Sequence, residues 1–365
     1  MAVPGVSGRP GWVKRLMAWL GPGRATAAVV RARGTAPRAA VPPPPDRLDA
    51  VLDDLVAGPA APPAVVLDEP DPAVARVLHP LLSARDAGTA VYRPAVGRLA
   101  ELMDLAPDDF NGTVRLITSE PAIIAAVLAT ANSAEFRRGA AVADIREAVG
   151  RLGLVQVRQL ALAVTARALQ EPDASAAGIR RVRGERDLHR ALTTAFACSW
   201  LSLQYALAQP DRTFVAAMFL DVGRPLIYRD LARLEHAAGR APVSDAIAEQ
   251  LVDAAHARLG AQTLAAWGLP DEVVAMCRHH HDELLPAELD RREWHAVRAV
   301  SGLVHLRGGQ PVTAATRASL AALALDRPGL RALLVSLDEL SDRASRLLGV
   351  PAEAAAWPTP APITA

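Results

Sequence analysis

The run Phe219-Leu220-Asp221-Val222-Gly223 places an acid just before a glycine, with leucine in front of the acid. An adjacent His-Asp pair would give a divalent cation a neutral nitrogen and an anionic oxygen from one short segment. With leucine at 220, half of that local ligand set is missing. Further residues of ligand type follow at His256 and in the run His279-His280-His281-Asp282. The chemistry such a set could serve is metal-assisted hydrolysis, in which a cation polarises a phosphoryl oxygen and activates a water. Asp221 has two alternative employments: as a buried acid held by Arg190 or His256, or as part of a small-ligand pocket.

Other entry points to chemistry are missing. There is no Gly-Lys-Ser/Thr phosphate loop, no Gly-x-Gly-x-x-Gly after a strand and no Gly-x-Ser-x-Gly elbow. Neither basic helix-turn-helix nor zinc-finger spacing is evident. Cys198 and Cys277 both fall in apolar helical stretches, which suits buried thiols and argues against a disulfide framework or a cysteine-based zinc site.

The elements that must position these residues read as helices. The chain has 365 residues, 51% hydrophobic and only 4% aromatic, which favours an all-α protein packed through Ala, Leu and Val. The net charge of +1 is unevenly spread: residues 1–45 hold seven basic residues and no acid, leaving 33 basic against 39 acidic in the body. That sign gives the body no electrostatic reason to bind nucleic acid specifically. No run approaches the roughly 20 apolar residues of a membrane span, so a cytoplasmic protein is expected.

Residues 1–45 are expected to be a disordered basic arm. Within it, residues 12–20 put Trp12, Leu16, Trp19 and Leu20 on one helical face, which suits either weak contact with an anionic membrane surface or docking on the protein itself. Residues 46–94 form a poorly assigned segment. It begins with a helix over 46–58 through Leu48, Val51, Leu52 and Leu55, is interrupted by a proline-rich stretch from Pro59 to Pro72, and holds helical spacing at 73–84 that Pro80 would kink.

From about residue 95 the pattern is regular. Ser119-Glu120-Pro121 is a helix start, Gly153 breaks a helical stretch over 144–170, and residues 187–207 form a long helix. Ser244 caps a helix ending near Gly260 or continuing to Trp267. Gly268-Leu269-Pro270 joins it to the helix that ends in the histidine run, with Pro270 fitting the first turn. Helices are expected at 291–307, 313–325 and 329–348, and residues 351–365 form a loose tail.

Taken together, residues 95–285 resemble the HDOD domain, a helical relative of the HD phosphohydrolases found in bacterial signalling proteins. The likeness is carried by Glu120-Pro121, Ala131-Asn132-Ser133-Ala134, Ile145-Arg146-Glu147-Ala148-Val149 and Arg151-Leu152-Gly153. It continues through Leu220-Asp221-Val222-Gly223, His256 before Gly260, Trp267-Gly268-Leu269-Pro270 and His279-His280. The resemblance implies an HD-related multi-helix bundle, with residues 286–350 as a C-terminal helical extension. It sets Arg190 at the position of a first histidine ligand, with His189 rotated by about 100° from it. Arg190, Leu220, Asp221, His256, His279 and His280 thus form a vestigial site, with no metal, no cofactor and no catalytic residue expected. Asn132 and Ser133 suit a helix terminus or contact with a ligand.

The His256 and His279-His280 positions also resemble the further histidines of the cyclic dinucleotide phosphodiesterase branch, whose Gly-Tyr-Pro signature is absent after Asp282. The implied function is non-enzymatic regulation through binding to signalling proteins, or to a small nucleotide. The alternatives are a nucleotide-binding sensor and a metal-dependent phosphodiesterase built from Asp221, His256 and His279 or His280.

Overall fold

The computed structural model describes residues 45–56, 98, 101–137, 139–170, 179–207, 210–238 and 243–349. The expectations for residues 12–20, the Pro59–Pro72 stretch, the helix at 73–84 and the tail from 351 lie outside the described residues. Thirteen α-helices and one 3₁₀ turn, Ala287–Leu289, fall wholly among them, with no strand. The helices are α1 Pro45–Val56, α2 Phe110–Thr118, α3 Pro121–Ala131, α4 Ile145–Leu152, α5 Leu154–Gln170, α6 Ile179–Tyr205 and α7 Pro210–Phe219. They continue with α8 Gly223–Ala238, α9 Asp245–Ala266, α10 Asp271–His279, α11 Arg292–Arg307, α12 Ala314–Leu323 and α13 Arg327–Leu348.

Local chemistry explains most of the boundaries. Ser119 closes α2, Glu120 takes an extended backbone, and Pro121 opens α3 where its missing N–H is not needed. Asp144 accepts from the Glu147 N–H to start α4, and Gly153, at φ +86°, ends it. Ser244 starts α9 in the same way, through the Ile247 N–H. Two boundaries differ from expectation: α6 begins at Ile179, and Pro270 precedes the first turn of α10 as its cap, while α9 takes the longer of its two expected ends and runs to Ala266. Gly260 does not end α9 because its role is spatial. A side chain there would meet Cys277 Sγ at 2.8 Å.

The core is built around α6, which packs against α7, α11 and α13. Phe196 and Trp200 of α6, Phe214 and Phe219 of α7, and Trp294 of α11 are fully buried in it. Trp294 lies beyond residue 285, so the hydrophobic core passes without a break into the C-terminal helices. A smaller cluster, including Ile227, Leu231, Leu251, Val252 and Leu259, joins α8 to α9. Arg158 of α5 is a buried tie: it donates to the carbonyls of Leu102, Leu105 and Ala106 and pairs with Asp211 of α7 at 3.1 Å. No single helix among the described residues is long and apolar enough to cross a membrane.

Candidate metal centre

Asp221 stands in the turn Leu220–Val222 between α7 and α8, a position that frees its carboxylate from helix packing. His256 comes from the middle of α9, and His280 and His281 from the turn that ends α10. One ligand atom from each of the four lies within 4.8 Å of all the others. Asp221 Oδ1 is 3.5 Å from His256 Nε2 and 3.3 Å from His280 Nε2, and the Nε2 atoms of His256 and His281 are 2.8 Å apart. Gly223 permits this convergence. A Cβ there would sit 1.9 Å from the His256 carbonyl oxygen, so any larger residue would push α8 and α9 apart at the site.

Hydrogen bonds fix which nitrogens face inward. His256 Nδ1 lies 2.7 Å from the Val252 carbonyl and His280 Nδ1 lies 2.7 Å from that of Cys277, so each Nδ1 carries the proton. The Nε2 lone pair of His280 then faces the Asp221 carboxylate, while that of His256 lies between Asp221 at 3.5 Å and His281 Nε2 at 2.8 Å. In His280 that nitrogen is buried and has no hydrogen-bond partner. Lone pairs and an anion converging at one point need a positive centre between them. Carbonyl-held imidazoles are the usual outer support of a metal ligand. Three imidazoles and one carboxylate therefore fit a borderline divalent ion such as zinc, iron or manganese, with Asp221, His256, His280 and His281 as its holders.

The electrostatics agree with that donor set. Burial alone would raise the Asp221 carboxyl, but positive charge on the surrounding rings outweighs it and holds the group well below the usual carboxylate range. That charge acts through a hydrogen bond from protonated His280 and the attraction of protonated His280, His256 and His305; with the rings neutral, a bound cation would supply it instead. Desolvation lowers His256, His281 to about 3 and His305 of α11 to about 4, with neighbouring positive groups adding to the fall. Neutral rings with free lone pairs are what a cation requires. Beside the centre, Arg224 lies between Asp187, Glu249 and Asp253 at 3.5, 3.6 and 3.5 Å. Burial raises Asp187 to about 6, against the pull of Arg224.

The expected site residues separate into those that meet and those that do not. Asp221, His256 and His280 come together. His279 does not: it faces solvent and pairs with Asp282 at 2.7 Å, and His281 takes the place foreseen for it. Leu220 is buried in the core. Arg190 lies on α6 with its guanidinium against Gly308 and close enough to His305 to depress it. His189 faces the opposite way, its Nε2 within 3.0 Å of the Ser341 carbonyl and 2.8 Å of Ser345 Oγ on α13. Asn132 lies away from the cluster, where its amide exchanges two 2.7 Å bonds with the Val142 backbone. Ser133 closes the same turn, its carbonyl accepting from Phe136 and Arg137.

His281, His305, Asp187 and Arg224 escaped the sequence reading as individual site members. For His281 a signal existed: once α10 ends at His279, the next two residues leave the helical spiral and can turn inward together. His305 comes from a distant helix, and nothing in linear spacing announces it.

The fold and the cluster define a class: an all-helical HD-type bundle with an incomplete His-Asp signature. The HDOD domain matches residues 94–283, more than half of the chain, and the chain belongs to that family. Among solved structures it is similar to a protein of Shewanella amazonensis SB2B provisionally named a metal-dependent phosphohydrolase. The identity is 18%, the TM-score 0.53, and the match covers 74% of this chain and 98% of that one. It is also similar to an HDOD domain protein of unknown function from Geobacter sulfurreducens, at 18% identity and TM-score 0.51, covering 83% and 98% of the two chains. These likenesses speak for the fold alone. No curated protein matches the chain.

Proposed function

We propose that this protein is a non-catalytic bacterial regulator that acts by binding signalling proteins and keeps a closed metal centre as part of its scaffold. The observation that carries this reading is the combination of Arg190 and buried Leu220 at the two positions where the resemblance expects imidazoles. The remaining ligands, Asp221, His256, His280 and His281, are four protein donors in one cluster. A bound divalent ion supplies Lewis acidity, but four protein ligands complete a tetrahedral shell, whereas catalytic sites leave one position open for water. Arg190 adds a fixed positive charge near His305, beside the cluster, which disfavours a second cation there. The regulatory role itself rests on family membership.

A second reading, a single-metal phosphodiesterase, is favoured by the cluster itself, because His281 stands at its exposed edge and could yield its place to water. Turnover decides between them. The purified protein, loaded in turn with manganese, iron and zinc, is assayed on bis(p-nitrophenyl) phosphate and on cyclic dinucleotides, with Asp221→Ala as the control. Metal analysis should give about one ion per chain, lost in Asp221→Ala. No hydrolysis above the control is expected, and metal-dependent turnover abolished by Asp221→Ala would establish the enzyme instead.

A further inference from the structure

The first helix and its seat lie outside the family segment at both ends. α1 precedes residue 94, and α13, on which it packs, follows residue 283. Leu48, Val51, Leu52 and Leu55 form one buried stripe at the i, i+3, i+4, i+7 spacing of a helix laid into a groove. Its aspartates meet a basic trio around the seat. Asp49 pairs with Arg331 at 2.5 Å, Asp53 with Arg327 at 2.6 Å, and Asp54 with Arg317 of α12 at 2.8 Å. Arg317 also donates to the Asp54 carbonyl at 2.6 Å.

We propose that this seat, the first turns of α13 together with Arg317, is a docking surface for an acidic amphipathic helix of a partner protein, which α1 occupies within the chain. Two observations select that occupant. The apolar stripe of α1 shows what spacing the seat accepts, and the three arginines reward carboxylates at the rim and repel a basic helix. Asp53 and Asp54 are exposed and Asp49 is half-buried, so the attraction of the three pairs is weak and screened by salt, and α1 is held chiefly by four apolar side chains. A guest of that kind exchanges with another of the same pattern. The inference deepens the regulatory reading by naming the kind of partner, and it involves none of the metal ligands.

The test uses the full chain and a fluorescein-labelled peptide of residues 44–57, followed by anisotropy. In the wild type the seat is filled by a tethered competitor at millimolar effective concentration, so releasing α1 with Leu48→Asp and Leu52→Asp should tighten peptide binding by about tenfold or more. Adding Arg331→Glu to the released chain should abolish the gain, and a scrambled peptide should not bind. Leu52→Ala is a milder release, expected to give a smaller gain with unchanged far-ultraviolet circular dichroism. Equal binding to wild-type and released chains, or no binding to a released chain that remains folded, would overturn the proposal. So would dimerisation of the released chain in sedimentation, which would assign the seat to a second copy. None of these results would alter the turnover assay, so the two readings fail separately.

Discussion

Two backbone carbonyls, of Val252 and Cys277, decide the chemistry of the imidazoles that lean on them. By taking the Nδ1 protons they leave the Nε2 atoms of His256 and His280 as acceptors at the cluster, that of His280 facing Asp221, and the site needs a cation or an added proton to balance it. His305 feels the same surroundings without being a ligand, and its depression to about 4 has a thermodynamic consequence. A histidine whose folded pKa lies below its unfolded value of about 6.5 contributes stability above pH 6.5 that is lost as pH falls toward 4. In metal-free protein, His305→Gln should shrink the loss of stability between pH 7.5 and pH 5 by about 1–2 kcal/mol. Urea unfolding in chelator at the two pH values measures it, and an unchanged gap would show that His305 is not held neutral. The sequence made Asp221, His256 and His280 legible because each belongs to a local pattern. His305 and Asp187 matter only through space, and His281 was hidden inside a run that a continued helix would have fanned outward.

Among the elements, α8 and α9 set the width of the site. Gly223 and Gly260 face each other there, with the position of a Gly260 Cβ only 3.1 Å from the Gly223 nitrogen, so the two helices touch through backbone. Gly223→Ala should destabilise the protein by roughly 1–3 kcal/mol or more, because its methyl group has no flexible neighbour to displace. Since the displaced atom is the His256 carbonyl, the same variant should also lose metal in elemental analysis. A Gly223→Ala chain with wild-type melting and full metal content would mean that the helices separate freely. The helix boundaries were readable where side chains cap backbone, as at Asp144, Ser244 and the Ser119-Glu120-Pro121 joint. Gly260 left the end of α9 open between two places, since a glycine within helical periodicity also signals a close approach, and sequence does not distinguish the two uses.

On the scale of the whole molecule, the HDOD segment shares its core with the helices that follow it. α6 is covered on two sides by α11 and α13, Trp294 is fully buried, and the Arg343 guanidinium lies 3.9 Å from the centre of the Phe196 ring. A chain ending at residue 286 should therefore expose the apolar faces of α6 and fail to reach a native state. Loss of near-ultraviolet circular dichroism and poor dispersion of amide resonances are the expected readouts, and a well-dispersed spectrum would show that the C-terminal helices are dispensable. The sequence announced these helices by periodicity but not their place, because their partners lie a hundred residues away. The setting of α6 between its neighbours also fixes which of its side chains face the site. With His189 bolted to Ser341 and Ser345 on one side, its neighbour Arg190 is committed to the other, and no sliding or twisting of the helix can exchange them. A shift of the helix therefore cannot turn His189 toward the cluster; only replacement of the arginine itself would put an imidazole on that face.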